Sequence, residues 1–239
     1  MNLVIDYGNS SAKVGIFTQQ KLVEKHVFSS SESLKAFVES ATAQNIIVSS
    51  VSADAHNITS WAVHTKKKLI LNHTLPLPII NQYSTPSSLG VDRLAAACGA
   101  QFLYPNQNCL VIDAGTCITY DFIDCHANYL GGGISPGMAM RFQAMNTFTA
   151  KLPLVHPVSG PELIGTSTES CMQSGVVNGI LAEIRGITGD YKKKFADLKV
   201  ILCGGDATFF ENQMKEVIFA IPELVLYGLN SILIHNVDL

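Results

Sequence analysis

The chain has 239 residues, 47% of them hydrophobic and 15% charged, with 16 Lys and Arg against 19 Asp and Glu for a net charge of −3. This excludes a disordered chain, which lacks the apolar surface to offset its ordering entropy, and it argues against a nucleic-acid binder, which shows a basic excess. No apolar stretch approaches the roughly 18–20 residues of a membrane helix, so no membrane partner is expected.

The hydrophobicity comes in short runs such as Leu3-Val4-Ile5 and Leu110-Val111-Ile112, as in the buried strands of an α/β protein. Residues 2–6 predict a strand, Gly8-Asn9-Ser10-Ser11 a turn, and 12–17 and 22–28 two further strands. Serines then open a helix over 30–43, with Leu34, Phe37 and Val38 at helical spacing. A strand is expected over 45–49, a helix after Asp54, and short extended pieces at 68–71 and 78–80. Ser87 and Ser88 precede an amphipathic helix that carries Leu94, Ala95, Cys98 and Phe102.

The pattern then restarts. Residues 108–113 form a strand ending in Asp, followed by Gly115-Thr116, a strand over 117–123 and another from 127 to 131. Asp6-Tyr7-Gly8-Asn9 aligns with Asp113-Ala114-Gly115-Thr116 at an offset of 107 residues. The shared order of strand, Asp-x-Gly-polar turn, strand, strand signals an internal duplication, with halves 1–107 and 108–239. The second half continues with a helix over 136–148, a Pro- and Gly-rich loop over 151–166, and a long helix over 168–188. A strand at 200–202, the turn Gly204-Gly205-Asp206 and a last helix over 223–234 complete it.

Six cysteines form no C-x-x-C pair, and Cys125 beside His126 is too little for a zinc site. Cys117 and Cys125 receive no role. The N-terminus enters a strand at once, without the charged segment and cleavage site of a secretory signal. A reducing cytoplasm is therefore the expected compartment. The lysine triplets at 66–68 and 192–194 read as solvated surface.

Asp6 and Asp113 end apolar strands before glycine turns, where ligands of open α/β sheets gather. Two carboxylates there can hold a hard cation through water. The glycines let backbone N–H groups face phosphate oxygens, with Asn9, Ser10, Ser11, Thr116 and Lys13 as further donors. A plain Asx turn is the alternative for either turn alone. Gly204-Gly205 would let a flat ring lie on the backbone, or simply end the strand. Neither G-x-x-x-x-G-K-[ST] nor G-x-G-x-x-G occurs. Asp92 falls in the first turn of its helix, where it either complements the helix dipole or takes a proton from a substrate hydroxyl. Arg93 beside it can fork onto a carboxylate or phosphate.

Five segments occur together in the order that type III pantothenate kinases show. They are Asp6-Tyr7-Gly8-Asn9-Ser10, Gly90-Val91-Asp92-Arg93, Asp113-Ala114-Gly115-Thr116, Gly132-Gly133-Ile134-Ser135-Pro136-Gly137 and Leu202-Cys203-Gly204-Gly205-Asp206. The stretches 140–153 and Met172-Gln173-Ser174-Gly175 are also similar, so the resemblance spans nearly the whole chain. It implies the actin, Hsp70 and sugar-kinase fold: two duplicated ribonuclease-H-like domains, mixed five-stranded sheets flanked by helices, and ATP in the inter-domain cleft. It implies ATP-dependent phosphorylation of pantothenate, the first step towards coenzyme A, by a homodimer that needs Mg²⁺ and K⁺ or NH₄⁺.

Carried over by position, the resemblance makes Asp6, Tyr7, Gly8, Asn9, Ser10, Ser11, Ala12 and Lys13 the ATP phosphate loop, with Asp6 holding Mg²⁺ through water. Asp92 becomes the general base. Tyr83, Gly90, Val91, Asp92, Arg93 and Thr168 become pantothenate contacts, Asp113 the K⁺ ligand and Thr116 an ATP contact. Ser10 stands where the family more often has Thr, and Ser167 where many members have Asn. The rival readings are a regulatory, non-catalytic member of the family, another kinase or phosphatase acting on a sugar or polyphosphate, and a structural module.

Overall fold

The structure, a computed structural model, describes residues 1–8, 11–50, 55–214 and 218–237. The chain divides into two compact units. The first joins Met1–Asn106 to Ile123–Leu130 and Glu223–Leu239; the second joins Gln107–Phe122 to Gly131–Pro222.

In the first unit, β1 (Asn2–Tyr7) pairs antiparallel with β2 (Ala12–Thr18), and β2 antiparallel with β3 (Lys21–Phe28). On its other side β1 pairs parallel with β4 (Asn45–Ser50), and β4 parallel with β5 (Lys67–Ile70). Parallel neighbours need a crossover. Here α1 (Ser31–Ser40) and α2 (Ala55–Trp61) supply it. The Ser30 hydroxyl starts α1 by accepting the Ser33 N–H at 3.3 Å. Leu3, Ile5, Ile46 and Val48 pack under Leu34, Val38 and Ile58 of these helices. Val4 and Ile47 alternate to the other face and are equally buried, because α7 (Leu224–Val237) packs on β1 and β4.

A chain of amides pins α7 there. Asn45 Nδ2 donates to Asn2 Oδ1, Asn2 Nδ2 to Asn230 Oδ1, and Asn230 Nδ2 to the Gln19 carbonyl, each at 2.9 Å. Buried amides are stable only when paired in this way. α3 (Val91–Leu103) packs along α7. A Cβ on Gly99 would overlap the Leu224 carbonyl, and one on Gly228 the Ala95 carbonyl, so the two helices meet backbone to backbone.

In the second unit the strands are β7 (Cys109–Ala114), β8 (Cys117–Ile123), β9 (Asn128–Pro136), β10 (Lys199–Cys203) and β11 (Phe219–Ala220). Their order, β11-β10-β7-β8-β9, repeats that of the first sheet, β5-β4-β1-β2-β3. β10 runs parallel to β7 and β11. α4 (Met138–Phe148) and α5 (Thr168–Lys194) fall between β9 and β10, and α6 (Ala207–Glu211) follows β10. Leu110, Ile112, Phe142, Val177, Ile180, Ile184 and Phe210 form its core. A sixth strand, β6 (Ile80–Asn81), pairs parallel with the first residues of β9, so that sheet has one strand more than expected.

Three expectations about local structure are corrected. β9 runs on through the glycine segment to Pro136, and the helix begins at Met138 rather than 136. A Cβ on Gly132 would overlap the Tyr120 carbonyl, so these glycines allow close strand contact rather than a loop. The helix expected from Ser88 begins at Val91, because Pro86–Ser88 forms a separate 3₁₀ turn closed by Leu89 N–H on the Pro86 carbonyl. α5 extends to Lys194, its three terminal lysines lying against the negative end of the helix dipole.

Candidate active site

Asp6 is the fifth residue of β1 and is half-buried. The register sets Lys13 of β2 directly opposite it and Ser49 of β4 on its other side. The turn beyond begins with Gly8, whose N–H donates to the Ser11 carbonyl at 3.1 Å. Tyr7 and Ser11 are half-buried and Ala12 is buried. Asn9 and Ser10 lie outside the described residues. Ser49 is fully buried, and its hydroxyl has no hydrogen-bond partner among the described residues.

The substrate residues expected in the first unit come together around the start of α3. Gly90 is its N-cap, and a Cβ there would overlap Asp92 Oδ1. Asp92 lies in the first turn, where Oδ1 accepts the Arg93 N–H at 2.9 Å. Arg93 is buried, with its guanidinium carbon 5.8 Å from the centre of the Tyr83 ring. That distance is within cation–π range. The Tyr83 ring lies 6.2 Å from that of the fully buried Tyr129. β6 sets this up: Gln82 N–H donates to the Tyr129 carbonyl at 3.0 Å, and Tyr83 N–H to Asn81 Oδ1 at 3.0 Å. A guanidinium, an aromatic ring and a carboxylate are thus brought together at the start of α3.

In the second unit Asp113 is the fifth residue of β7, matching Asp6 in β1. The Gly115–Thr116 turn after it is tight, with Gly115 N–H on the Cys117 carbonyl at 3.0 Å. Thr116 is exposed. The turn is held from two sides. Gly137 donates its N–H to the Thr116 carbonyl at 3.1 Å, and Asp206 donates its N–H to the Ala114 carbonyl at 2.8 Å. Gly204 has φ +94°, a left-handed value that favours glycine. A Cβ there would overlap both the Ala114 carbonyl and Asp113 Oδ1. Gly204 therefore lets its backbone lie directly against the Ala114 carbonyl and the Asp113 carboxylate.

Thr168 opens α5 and is exposed. It borders a cavity of about 730 Å³ that Met145, Leu152, Cys171 and Met172 also line. Ser167 caps this helix in a reciprocal box with Ser170. Ser and Asn cap equally well, which accounts for the departure at 167.

Among the described residues no group of three or more His, Cys, Asp or Glu surrounds a point where a metal could sit. The donor set still fits the implied cations. Mg²⁺ commonly takes one or two carboxylates and completes its shell with water and phosphate, and Asp6 offers one. Asp113 offers a second carboxylate, an oxygen donor of the kind hard cations take.

Two features escaped sequence reasoning. Burial raises the Asp206 carboxyl above its usual range, and Arg141, Glu183 and Tyr120 form a polar network that reaches the Pro136 carbonyl. A lone Arg or Glu on a helix carries no sequence signal for such a contact.

The two sheets share one strand order and each carries an aspartate before a glycine turn, the arrangement expected of the actin, Hsp70 and sugar-kinase fold. A model of the type III pantothenate kinase family matches residues 2–190, and the chain belongs to that family. It is 43% identical over 240 residues to a type III pantothenate kinase of Christiangramia forsetii, covering 99% of each chain. Among solved structures it is similar to a Campylobacter jejuni protein described as a candidate Baf family transcriptional activator. That match has TM-score 0.66 at 23% identity and covers 99% of this chain and 100% of the other. A Porphyromonas gingivalis protein described as a candidate N-acetylglucosamine kinase matches at TM-score 0.52 and 11% identity over the full length of both. At these identities the structural matches bear on fold alone.

Proposed function

We propose that this chain transfers the γ-phosphoryl group of ATP to the primary hydroxyl of pantothenate, giving 4′-phosphopantothenate, the first step towards coenzyme A. The observation that carries the reading is the cluster at the start of α3, in a chain 43% identical to a type III pantothenate kinase.

Arg93, held over Tyr83, pairs with the carboxylate of pantothenate, with Gly90, Val91 and Thr168 as further contacts. Asp92 takes the hydroxyl proton as the oxygen attacks phosphorus and the bond to the bridging oxygen of ADP breaks. The hydroxyl becomes acidic only late in the transfer, so the carboxylate takes its proton at that stage. The segment 6–13 holds the phosphates through backbone N–H groups and Lys13, and Thr116 adds a hydroxyl contact. Asp6 would hold Mg²⁺ through water and Asp113 would hold K⁺ or NH₄⁺; such cations neutralise charge on the phosphate oxygens.

The working form is a homodimer in this reading. Phe148, Leu163 and Ile164 are 84%, 80% and 78% exposed and are the apolar side chains this reading offers to the partner. Cytoplasm is the proposed compartment. No helix among the described residues is long and apolar enough to cross a membrane, and the net charge of −3 gives no support to nucleic-acid binding.

A coupled ADP-release assay with ATP, Mg²⁺ and pantothenate, in K⁺ or Na⁺, tests the reading. Turnover that depends on pantothenate, prefers K⁺ and collapses in Asp92→Asn supports it. ADP release indifferent to pantothenate means another substrate.

A further inference from the structure

The segment Gly132–Gly137 has no role in the scheme above, yet it touches the turn that carries Thr116. The contact runs through one peptide group. The N–H of Gly137 donates to the Thr116 carbonyl at 3.1 Å. The carbonyl of the same peptide, that of Pro136, accepts from Arg141 Nε at 2.9 Å. A peptide unit is planar, with its C=O and N–H on opposite edges. Whatever holds one edge sets the direction of the other. A charged donor on the carbonyl also polarises the peptide and strengthens the N–H as a donor.

Arg141 is itself held. A terminal nitrogen donates to Ser135 Oγ at 2.8 Å and pairs with Glu183 on α5. Glu183 also accepts the hydroxyl of the buried Tyr120 at 2.8 Å. Burial works against the Glu183 carboxylate, yet the bonds from Arg141, Ser135 and Tyr120 together hold it ionised below its usual range. The Tyr120 phenol is in turn pushed up by burial and by this carboxylate. The side chains of Arg141 and Glu183 are only 21% and 23% exposed. The fork geometry is specific to arginine: one nitrogen serves the backbone carbonyl while another serves the carboxylate. Gly137 is as constrained, since a Cβ on it would overlap the Gly115 and Thr116 carbonyls.

We propose that Arg141, braced by Glu183 and Tyr120, is a positioning residue for the nucleotide: it orients the Pro136–Gly137 peptide so that the Gly115–Thr116 turn is held in place against the phosphates of ATP. This rests on reading Thr116 as an ATP contact. Arg141 touches no reacting atom. Its effect passes through one hydrogen bond to the turn, so it belongs to ATP and not to pantothenate.

The test measures kcat, both KM values and thermal midpoint for Arg141→Gln, Arg141→Lys, Thr116→Val, Tyr120→Phe and the double variant Arg141→Gln/Thr116→Val. A displaced contact of this kind lowers kcat/KM for ATP by about 10–100-fold, and the KM for pantothenate should stay within about twofold. The double variant should be no worse than the worse single one, since coupled residues are non-additive. Arg141→Lys keeps a charge for Glu183 but loses the fork; it should recover thermal midpoint without recovering ATP kinetics. If Arg141→Gln does not fold, Tyr120→Phe carries the test, with a several-fold rise in KM for ATP. The proposal is overturned by additive effects, by equal damage to both substrates, by full kinetic rescue in Arg141→Lys, or by Tyr120→Phe changing thermal midpoint alone. Normal ATP kinetics in Thr116→Val overturns it together with the underlying nucleotide reading, which separates that failure from a failure of Arg141 alone.

Discussion

β1 and β7 each carry an aspartate as the fifth of six residues, Asp6 and Asp113, but the turns beyond them are built differently. Four residues separate β1 from β2 and only two separate β7 from β8. The first turn is closed by its own Gly8–Ser11 bond. The second is held from outside, by Gly137 on one side and by Gly204 and Asp206 on the other. The neighbouring strand differs as well: Asp6 stands in register with Ser49, Asp113 with Cys203. A longer polar turn can wrap phosphates with its own N–H groups. A short turn has few donors and holds one carboxylate and one hydroxyl at fixed places. One repeated frame thus carries two differently built turns.

Substitution of the two aspartates is the sharpest way to break this comparison. Asp6→Asn should lower kcat/KM by about 10²–10³-fold, the scale of removing one preorganised electrostatic contact, and should do so equally in K⁺ and Na⁺. Asp113→Asn should cost less, on the order of tenfold, and should abolish the preference for K⁺. Steady-state kinetics in the two salts decides; matching salt profiles in the two variants would erase the division of labour.

Backbone substitution probes the same contrast through stability. Gly204→Ala forces a strained left-handed alanine against the Ala114 carbonyl and should destabilise by about 1–3 kcal/mol. Gly8→Ala meets nothing closer than the Ser11 carbonyl at 3.5 Å and should stay within about 0.5 kcal/mol. Chemical denaturation checks both.

The brace on the second turn should also show in acid. The folded Glu183 carboxyl titrates below its ordinary value, so folding favours the ionised form. Its contribution is present above the unfolded pKa and is lost as pH falls through the folded one. Glu183→Gln should therefore flatten the acid limb of a plot of thermal midpoint against pH while lowering stability near neutrality. The smallest effect is expected at Ser49. Its buried hydroxyl lacks a partner among the described residues, so Ser49→Ala should be neutral or stabilising by up to about 1 kcal/mol in unliganded protein. A clear loss of stability would mean the hydroxyl is held.

Much of the frame was legible beforehand. β1 and β7 announce themselves as short apolar runs that end in Asp-x-Gly turns. The duplication predicted from Asp6 and Asp113 reappears as a repeated strand order. The proximity of Arg93 to the Tyr83 ring depends on β6, which is two residues long. α6 and β11, of five and two residues, are too short for periodicity to register. The extent of β9 is not legible in the sequence because glycines weaken any strand pattern, whereas here Gly132 admits the backbone of β8.

What the sequence by itself determined is local: where apolar runs make strands, where Ser30 and Ser167 start helices, and which polar residues stand at strand ends. The tertiary structure alone decided which distant residues meet. It sends α7 back to β1 through Asn2 and Asn230, 228 positions apart, and brings Arg141 to Glu183, 42 positions away. The physical reason is that periodicity and capping are set by near neighbours, whereas a buried polar group takes whichever partner packing brings within hydrogen-bond reach, at any separation along the chain.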